Sequence, residues 1–311
     1  MPIILDFYYQ MLSKKDIIYL YQHLEKSQIL TNEYAHSLAS QAYLHMRNIP
    51  FMLKMKENVE FMTEQGEVPL LRYNENMIIT GFEHIVKFVN SKYLENDLKL
   101  CDINYEKLAF MKYIDHTFTL AEIYILWKDE DVYSRFTALR YGFPYSFPLN
   151  KIMTYSKKRS LFKYLKAHDW FDLNLKQVLT HVKTCCDRLS LRLGANSFIF
   201  DNRPTEIDAL IYGHIYAILT LSPPMLYQKH NEGSYEHHSI FDSFQFNSRT
   251  NGKYNSTKTS SIDSDQIYMP EHLRNIVLSY ENLLKLCFRI YQTYFEKFKI
   301  NDKKNSDNFY Q

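Results

Sequence analysis

The chain has 311 residues, 46% hydrophobic and 23% charged, with 37 basic and 35 acidic side chains and a net charge of +2. That length carries roughly two domains with a sizeable core, and the composition excludes a wholly disordered, collagen-like or coiled-coil protein. The charge balance gives no footprint for nucleic acid, and the 7 glycines form no phosphate-cradling motif.

Residues 1–16 carry an acid at Asp6, no arginine and no cleavage-site pattern. They read as an N-terminal extension rather than a signal peptide or matrix presequence. Residues 17–21 (IIYLY) are β-branched and aromatic and predict a strand. Thr31 or Asn32 can cap a helix with Ala35, Leu38, Ala39, Ala42 and Met46 on its apolar face, stopped by Pro50. FMLKM (51–55) alternates with period two as a strand, and 59–63 predicts a short helix. Gly66 turns the chain into a strand over 68–71, and a turn at 74–76 leads to its partner at 77–80. A helix follows, with Phe82, Ile85, Val86 and Val89 on one face. The order βαβαββα over 17–92 is that of a thioredoxin-like domain.

Past residue 92 the strand signals fade, and 100–298 reads as an all-α domain. Leu108, Met111, Ile114, Phe118, Ala121 and Ile125 recur at helical spacing. Leu175, Val178, Val182, Cys186, Leu189 and Leu193 mark another helix, closed by Gly194. Thr205-Glu206-Ile207-Asp208 forms an S/T-x-x-D box opening a helix over 205–221. Its hydroxyl should accept from the Asp208 amide while the carboxylate reaches back. This most apolar stretch contains Asp208 and His214 and falls short of the roughly 20 residues of a membrane span. It predicts a core helix, with His214 a hydrogen-bonded core histidine. Ile276, Leu283, Cys287, Ile290 and Tyr294 belong to the last helices. Residues 224–269 read as a disordered insertion, most polar at 247–265, and 299–311 as a flexible tail.

Four cysteines are present: Cys101, Cys185, Cys186 and Cys287. The adjacent pair cannot easily bridge, and no CxxC or zinc spacing exists, so free thiols in a reducing compartment fit best. His237-His238 is a thin metal candidate. Ser27 and Thr31 lie before the first helix, where a hydroxyl could stabilise a thiolate but fits a cap better. Arg140-Tyr141-Gly142 and Pro144-Tyr145 form an aromatic, proline-punctuated connection. Two readings of it stand: a rigid loop packed on the body, or a partner surface built on Arg140, Tyr141 and Tyr145. Lys157-Lys158-Arg159 reads as a solvated helix face.

A thioredoxin-like domain followed by an all-helical domain resembles the glutathione-transferase architecture. Val68-Pro69 stands where that superfamily places its cis-proline, and the Thr205–Asp208 box where it has a folding box in the central helix. The resemblance thus makes Pro69, Thr205 and Asp208 structural residues. YQHLEKSQILTNEYAHSLASQAYL (21–44), RYGFPYSFPLNKIMTY (140–155) and PTEIDALIYGHIYAILT (204–220) closely resemble the metaxin family, and the likeness covers most of 17–298. It implies a non-catalytic adaptor without cofactor or metal on the cytosolic face of the mitochondrial outer membrane. Membrane contact would be peripheral, through an anchored metaxin 1-like subunit. The implied work is protein import and β-barrel sorting and assembly alongside that machinery, with a link to mitochondrial transport. The alternative is a cytosolic glutathione transferase. Against it stands Gly81-Phe82, where those enzymes carry an acid or Gln followed by Ser to hold the γ-glutamyl end of glutathione.

Overall fold

The computed structural model describes residues 17–24, 30–64, 66–74, 76–93, 105–200, 203–220 and 269–296. The N-terminal extension, Ser27, Cys101, His237-His238 and the tail lie outside these residues. So does the 224–269 insertion, apart from Met269, which opens a helix.

Four short strands form one sheet: β1 (Ile18–Gln22), β2 (Met52–Met55), β3 (Leu70–Tyr73) and β4 (Met77–Thr80). Their order is β2-β1-β3-β4, with β1 parallel to β2 and antiparallel to β3, and β3 antiparallel to β4. Leu20 sits opposite both Leu53 and Leu71, so the central strand is apolar towards each neighbour. The parallel pair requires a crossover, and α1 (Thr31–Met46) supplies it. The hairpin β3–β4 leads through Gly81, at φ +77°, into α2 (Phe82–Tyr93). This is the expected βαβαββα order, with the helix of 59–63 present as a 3-10 turn, Val59–Met62.

Two local expectations shift. β3 begins at Leu70 rather than 68, because Pro69 has no N–H for the ladder; the Val68-Pro69 bond is cis, and the Pro69 carbonyl accepts from the Gly81 amide at 2.9 Å. Neither Thr31 nor Asn32 caps α1. Leu30 holds the cap position in an extended conformation with no side-chain cap bond, and its side chain is fully buried. Burying a leucine stabilises by roughly 1.5–3 kcal/mol and a polar cap by roughly 1 kcal/mol, so an inward-packed helix start selects leucine.

The rest is helical. α3 (Tyr105–Ile123) runs into a π-helical turn, Tyr124–Lys128. α4 comprises Glu130–Val132, a second π turn Tyr133–Thr137, and Ala138–Gly142. α5 (Leu149–Ala167), α6 (Leu175–Leu193), α7 (Glu206–Thr220), α8 (Met269–Leu278) and α9 (Glu281–Tyr291) follow. α6 starts with a reciprocal Asn174–Gln177 capping box and ends at Gly194, φ +51°. No helix among the described residues is long and apolar enough to cross a membrane.

Residues Ile207 to Leu219 of α7 are all buried, packed by α1, α3, α8 and α9. Gly213 is what lets α1 approach. A Cβ there would lie 2.2 Å from the Ala35 carbonyl oxygen and 3.0 Å from the Ala39 Cβ, so the two helices meet backbone to backbone. One continuous apolar core, from Ile18 to Ile290, therefore spans both halves. Cys185, Cys186 and Cys287 are free and fully buried within it.

The box opening α7 forms with different roles for its groups. Asp208 Oδ2 accepts from the Thr205 amide at 2.8 Å and from the Thr205 hydroxyl at 2.7 Å. Thr205, expected as an acceptor, is thus a donor to the carboxylate. The second oxygen, Oδ1, accepts the Ile199 amide at 2.9 Å and ties the preceding loop to the helix start. Burial outweighs these bonds and raises the Asp208 pKa above the usual carboxylate value.

Candidate functional site

A cleft of about 380 Å³ lies between the sheet domain and the helical domain. The loop before β3 and the start of α2 form one wall; α1 forms the floor, and α3 and α5 the opposite wall. His36, Val68, Gly81 and Phe82 line it from one side, and Asp115, Lys157 and Tyr164 from the other.

Gly81 and Phe82 offer the cleft no side-chain donor. A Cβ on Gly81 would lie 2.7 Å from Glu67 Oε2, and the left-handed backbone there favours glycine. Phe82 is buried, edge-on to the Tyr43 ring at 6.4 Å. Thr31 is buried too, and does not line the cleft.

Beside the cleft, the Arg140-Tyr141-Gly142 run acts as a clamp between domains. The Tyr141 hydroxyl donates to Glu60 Oε1 at 2.6 Å. Lys157 on α5 donates to Glu60 Oε2 at 2.6 Å and Glu33 Oε1 at 3.2 Å, and Glu33 in turn lies 3.4 Å from His23. Burial disfavours the Lys157 ammonium, but Glu33 and Glu60 together hold its pKa above the ordinary lysine value. Burial likewise opposes the Glu33 carboxylate, yet Lys157 and His23 bring its pKa below normal. Burial and then Glu60 push the Tyr145 phenol up to about 12.

This corrects two expectations. Tyr141 is only 3% exposed and turned to Glu60, so of the two readings of this connection the loop packed on the body describes it. Arg140 is half-buried over the Phe136 ring, and Tyr145 is half-buried near Glu60. The exposed groups of this corner are their neighbours: Leu139, Phe143 at 64%, Phe147 at 76%, Ile152 and Tyr155. Nor is the Lys157-Lys158-Arg159 run a solvated face. Lys157 bridges two buried acids, and Lys158 pairs with Glu130 at 2.7 Å and sits 3.6 Å from the Tyr133 ring centroid. Of the three, Arg159 is exposed.

Sequence reading also missed a polar cluster on the cleft floor. His36 Nε2 lies 2.6 Å from Asp115 Oδ1, and His214 Nδ1 lies 2.9 Å from Glu122 Oε1. His214 is a hydrogen-bonded core histidine as expected, with the Phe118 ring stacked on it at 5.2 Å. Burial disfavours the His36 imidazolium, but Asp115, Glu122 and Glu33 outweigh it and raise its pKa. The partners come from α1, α3 and α7, so no local spacing announces them.

A two-domain, glutathione-transferase-like protein is what this strand order, the helical second half and the cleft between them define. Residues 182–237 match the family model of the glutathione S-transferase C-terminal domain, and 37–158 that of the outer mitochondrial membrane transport complex protein. A solved glutathione S-transferase of Ceriporiopsis subvermispora is 10% identical, with a TM-score of 0.44 over 86% of this chain and 97% of that one. Metaxin-2 of Mus musculus is 34% identical over 278 residues, 89% of this chain and 88% of that protein. Metaxin-2 of Homo sapiens is 39% identical over 65% of this chain and 76% of its own length. Metaxin-1 of Mus musculus is 24% identical over 60% and 61%. The chain belongs to the metaxin family, and it matches the metaxin-2 relatives more strongly than this metaxin-1.

Proposed function

We propose that this protein is a non-catalytic adaptor, peripheral to the cytosolic face of the mitochondrial outer membrane. It pairs there with a metaxin 1-like subunit and serves protein import and the sorting and assembly of β-barrel proteins. The observation that carries this reading is the exposed apolar corner between α4 and α5. Phe143, Phe147, Ile152 and Tyr155, with Leu139 just before them, face solvent in and beside the run 140–155, whose buried members lock the domains together. Large exposed aromatics on a rigid support are the anchors that protein interfaces use. The cleft supports the adaptor over a transferase, since Gly81 and Phe82 present no group to a γ-glutamyl end.

The test is a double substitution, Phe143→Asp with Phe147→Asp, in the full chain. It should leave the far-UV spectrum unchanged while abolishing co-purification of the metaxin 1-like subunit from mitochondria. Alkaline carbonate should strip the wild-type protein, and external protease should remove it with the outer membrane intact. Retained pairing in the double variant, resistance to carbonate, or enzyme-like turnover of a glutathione conjugate would overturn the reading.

A further inference from the structure

The polar cluster under the cleft is not explained by the adaptor reading, and one of its buried ring nitrogens has no hydrogen-bond partner. Glu122 is buried, and its Oε1 lies against the His214 ring. His214 Nδ1 is the ring nitrogen that meets Glu122, so Nε2 points away from it. That Nε2 is buried, and no hydrogen bond reaches it. It faces Asp115 Oδ1 at 3.9 Å. At that distance the two atoms are too far apart for a hydrogen bond and close enough to share an ion. His36 approaches the same oxygen from α1, its ring edge-on to that of His214 with centroids 5.4 Å apart.

We infer that His36 Nε2, Asp115 Oδ1 and His214 Nε2 form a binding site for a divalent first-row transition-metal ion, with Zn²⁺ the type case. The three ligand atoms lie within 4.8 Å of one another. Around a tetrahedral zinc with bonds near 2.0–2.1 Å they would stand about 3.3 Å apart. His36 must move away from Asp115 by several tenths of an ångström and His214 must come closer to it. His36 ligates through Nε2 as a neutral imidazole with its one hydrogen on Nδ1, and any second ring proton passes to solvent. Two imidazoles and one carboxylate select zinc-like ions over Ca²⁺ and Mg²⁺, which take oxygen. Glu122 is the outer partner that fixes the His214 tautomer and ring plane, the arrangement metal-bound histidines ordinarily show. Three protein ligands leave one position open to the cleft, where a water or an entering group completes the set. The competing cations are committed elsewhere: Lys112 pairs with Glu83, and Lys157 with Glu33 and Glu60. Because His36 belongs to α1 and the other ligands to α3 and α7, the ion ties the two domains together.

The experiment uses the full-length protein, stripped with chelator, desalted and titrated with Zn²⁺ by calorimetry, in parallel with thermal unfolding. One equivalent should bind, and at zinc 100-fold above Kd the Tm should rise by about 5 °C. Co²⁺ should give the visible absorption of a tetrahedral site. Asp115→Asn and His36→Gln, both at partly exposed positions that tolerate polar change, should each weaken binding at least tenfold. Glu122→Gln should weaken it roughly 10- to 100-fold, and glutamine at His36 should also shift the Co²⁺ spectrum. His237→Ala with His238→Ala should leave all of this unchanged. The inference is overturned if neither ion binds. It is equally overturned if Asp115→Asn or His36→Gln binds as tightly as wild type, or if the His237/His238 variant loses the site. These results do not depend on whether the Phe143/Phe147 corner pairs with a subunit.

Discussion

Lys157 shows how much one side chain can decide. Its ammonium holds two acids from the other domain, at 2.6 and 3.2 Å, with little access to solvent. Lys157→Met keeps the stem and removes the charge, so Glu60 keeps the Tyr141 hydroxyl and Glu33 its neighbour His23, but both lose the ammonium that holds them. Breaking a buried pair in this way costs about 3 kcal/mol or somewhat more, and urea unfolding should show it. The pH dependence follows from the two shifts. Glu33 has a folded pKa below its ordinary 4.5, so its contribution is present above that value and lost as pH falls through it. Lys157 has a folded pKa above 10.5, so its contribution is complete below that value and lost as pH rises beyond it. Wild type should lose stability at both ends, and the methionine variant should have a flatter profile. Asp208 belongs at this scale too. It accepts three hydrogen bonds while fully buried, so Asp208→Ala should cost about 2–4 kcal/mol, read from the urea midpoint.

At the scale of elements, the most sensitive contact is the crossing of α1 and α7. Gly213→Val would drive side-chain carbons into the Ala35 carbonyl, which is backbone and cannot swing aside. A loss of about 3 kcal/mol or more is expected, with thermal melting lowered by several degrees and the secondary structure otherwise kept. The elements themselves were largely legible in the sequence, because apolar spacing reports the side of an element that faces the core. The apolar stripe of α6 and its Gly194 stop match the structure at both ends. What periodicity does not carry is the partner of a polar group. Tyr141 and Glu60 are 81 positions apart, and His36 and Asp115 are 79 apart. Thus a buried clamp reads as a possible surface and Lys157 as solvated, and of the histidine cluster the sequence shows His214 as a core histidine but not its neighbours. The first helix start misled for a related reason: threonine and asparagine signal a cap, but Leu30 wins the position through burial that no local pattern reveals.

At the scale of the molecule, the shared core makes the two domains one cooperative unit. Residues of β1, α1, α3, α6, α7 and α9 belong to a single apolar cluster. A fragment ending after α2 would expose the α1 face that packs on α7, and should be insoluble or unfolded when expressed alone. Full-length protein should melt in one transition, with circular dichroism and tryptophan fluorescence coinciding; two separated midpoints would show independent domains.

The buried thiols turn that cooperativity into something that can be counted. Burial raises the Cys185 pKa to about 12, and it raises Cys186 and Cys287 as well, so these sulfurs are protonated at neutral pH and sealed from reagents. In a Cys101→Ser background, each alkylation event becomes a timestamp for the opening of the whole core. The rate at which three labels accumulate, seen by mass spectrometry, would read out the lifetime of the native state in a cell extract or on a mitochondrion, where no melting curve can be taken. Labels arriving together mark a single opening; a lone early label marks the helix that lets go first.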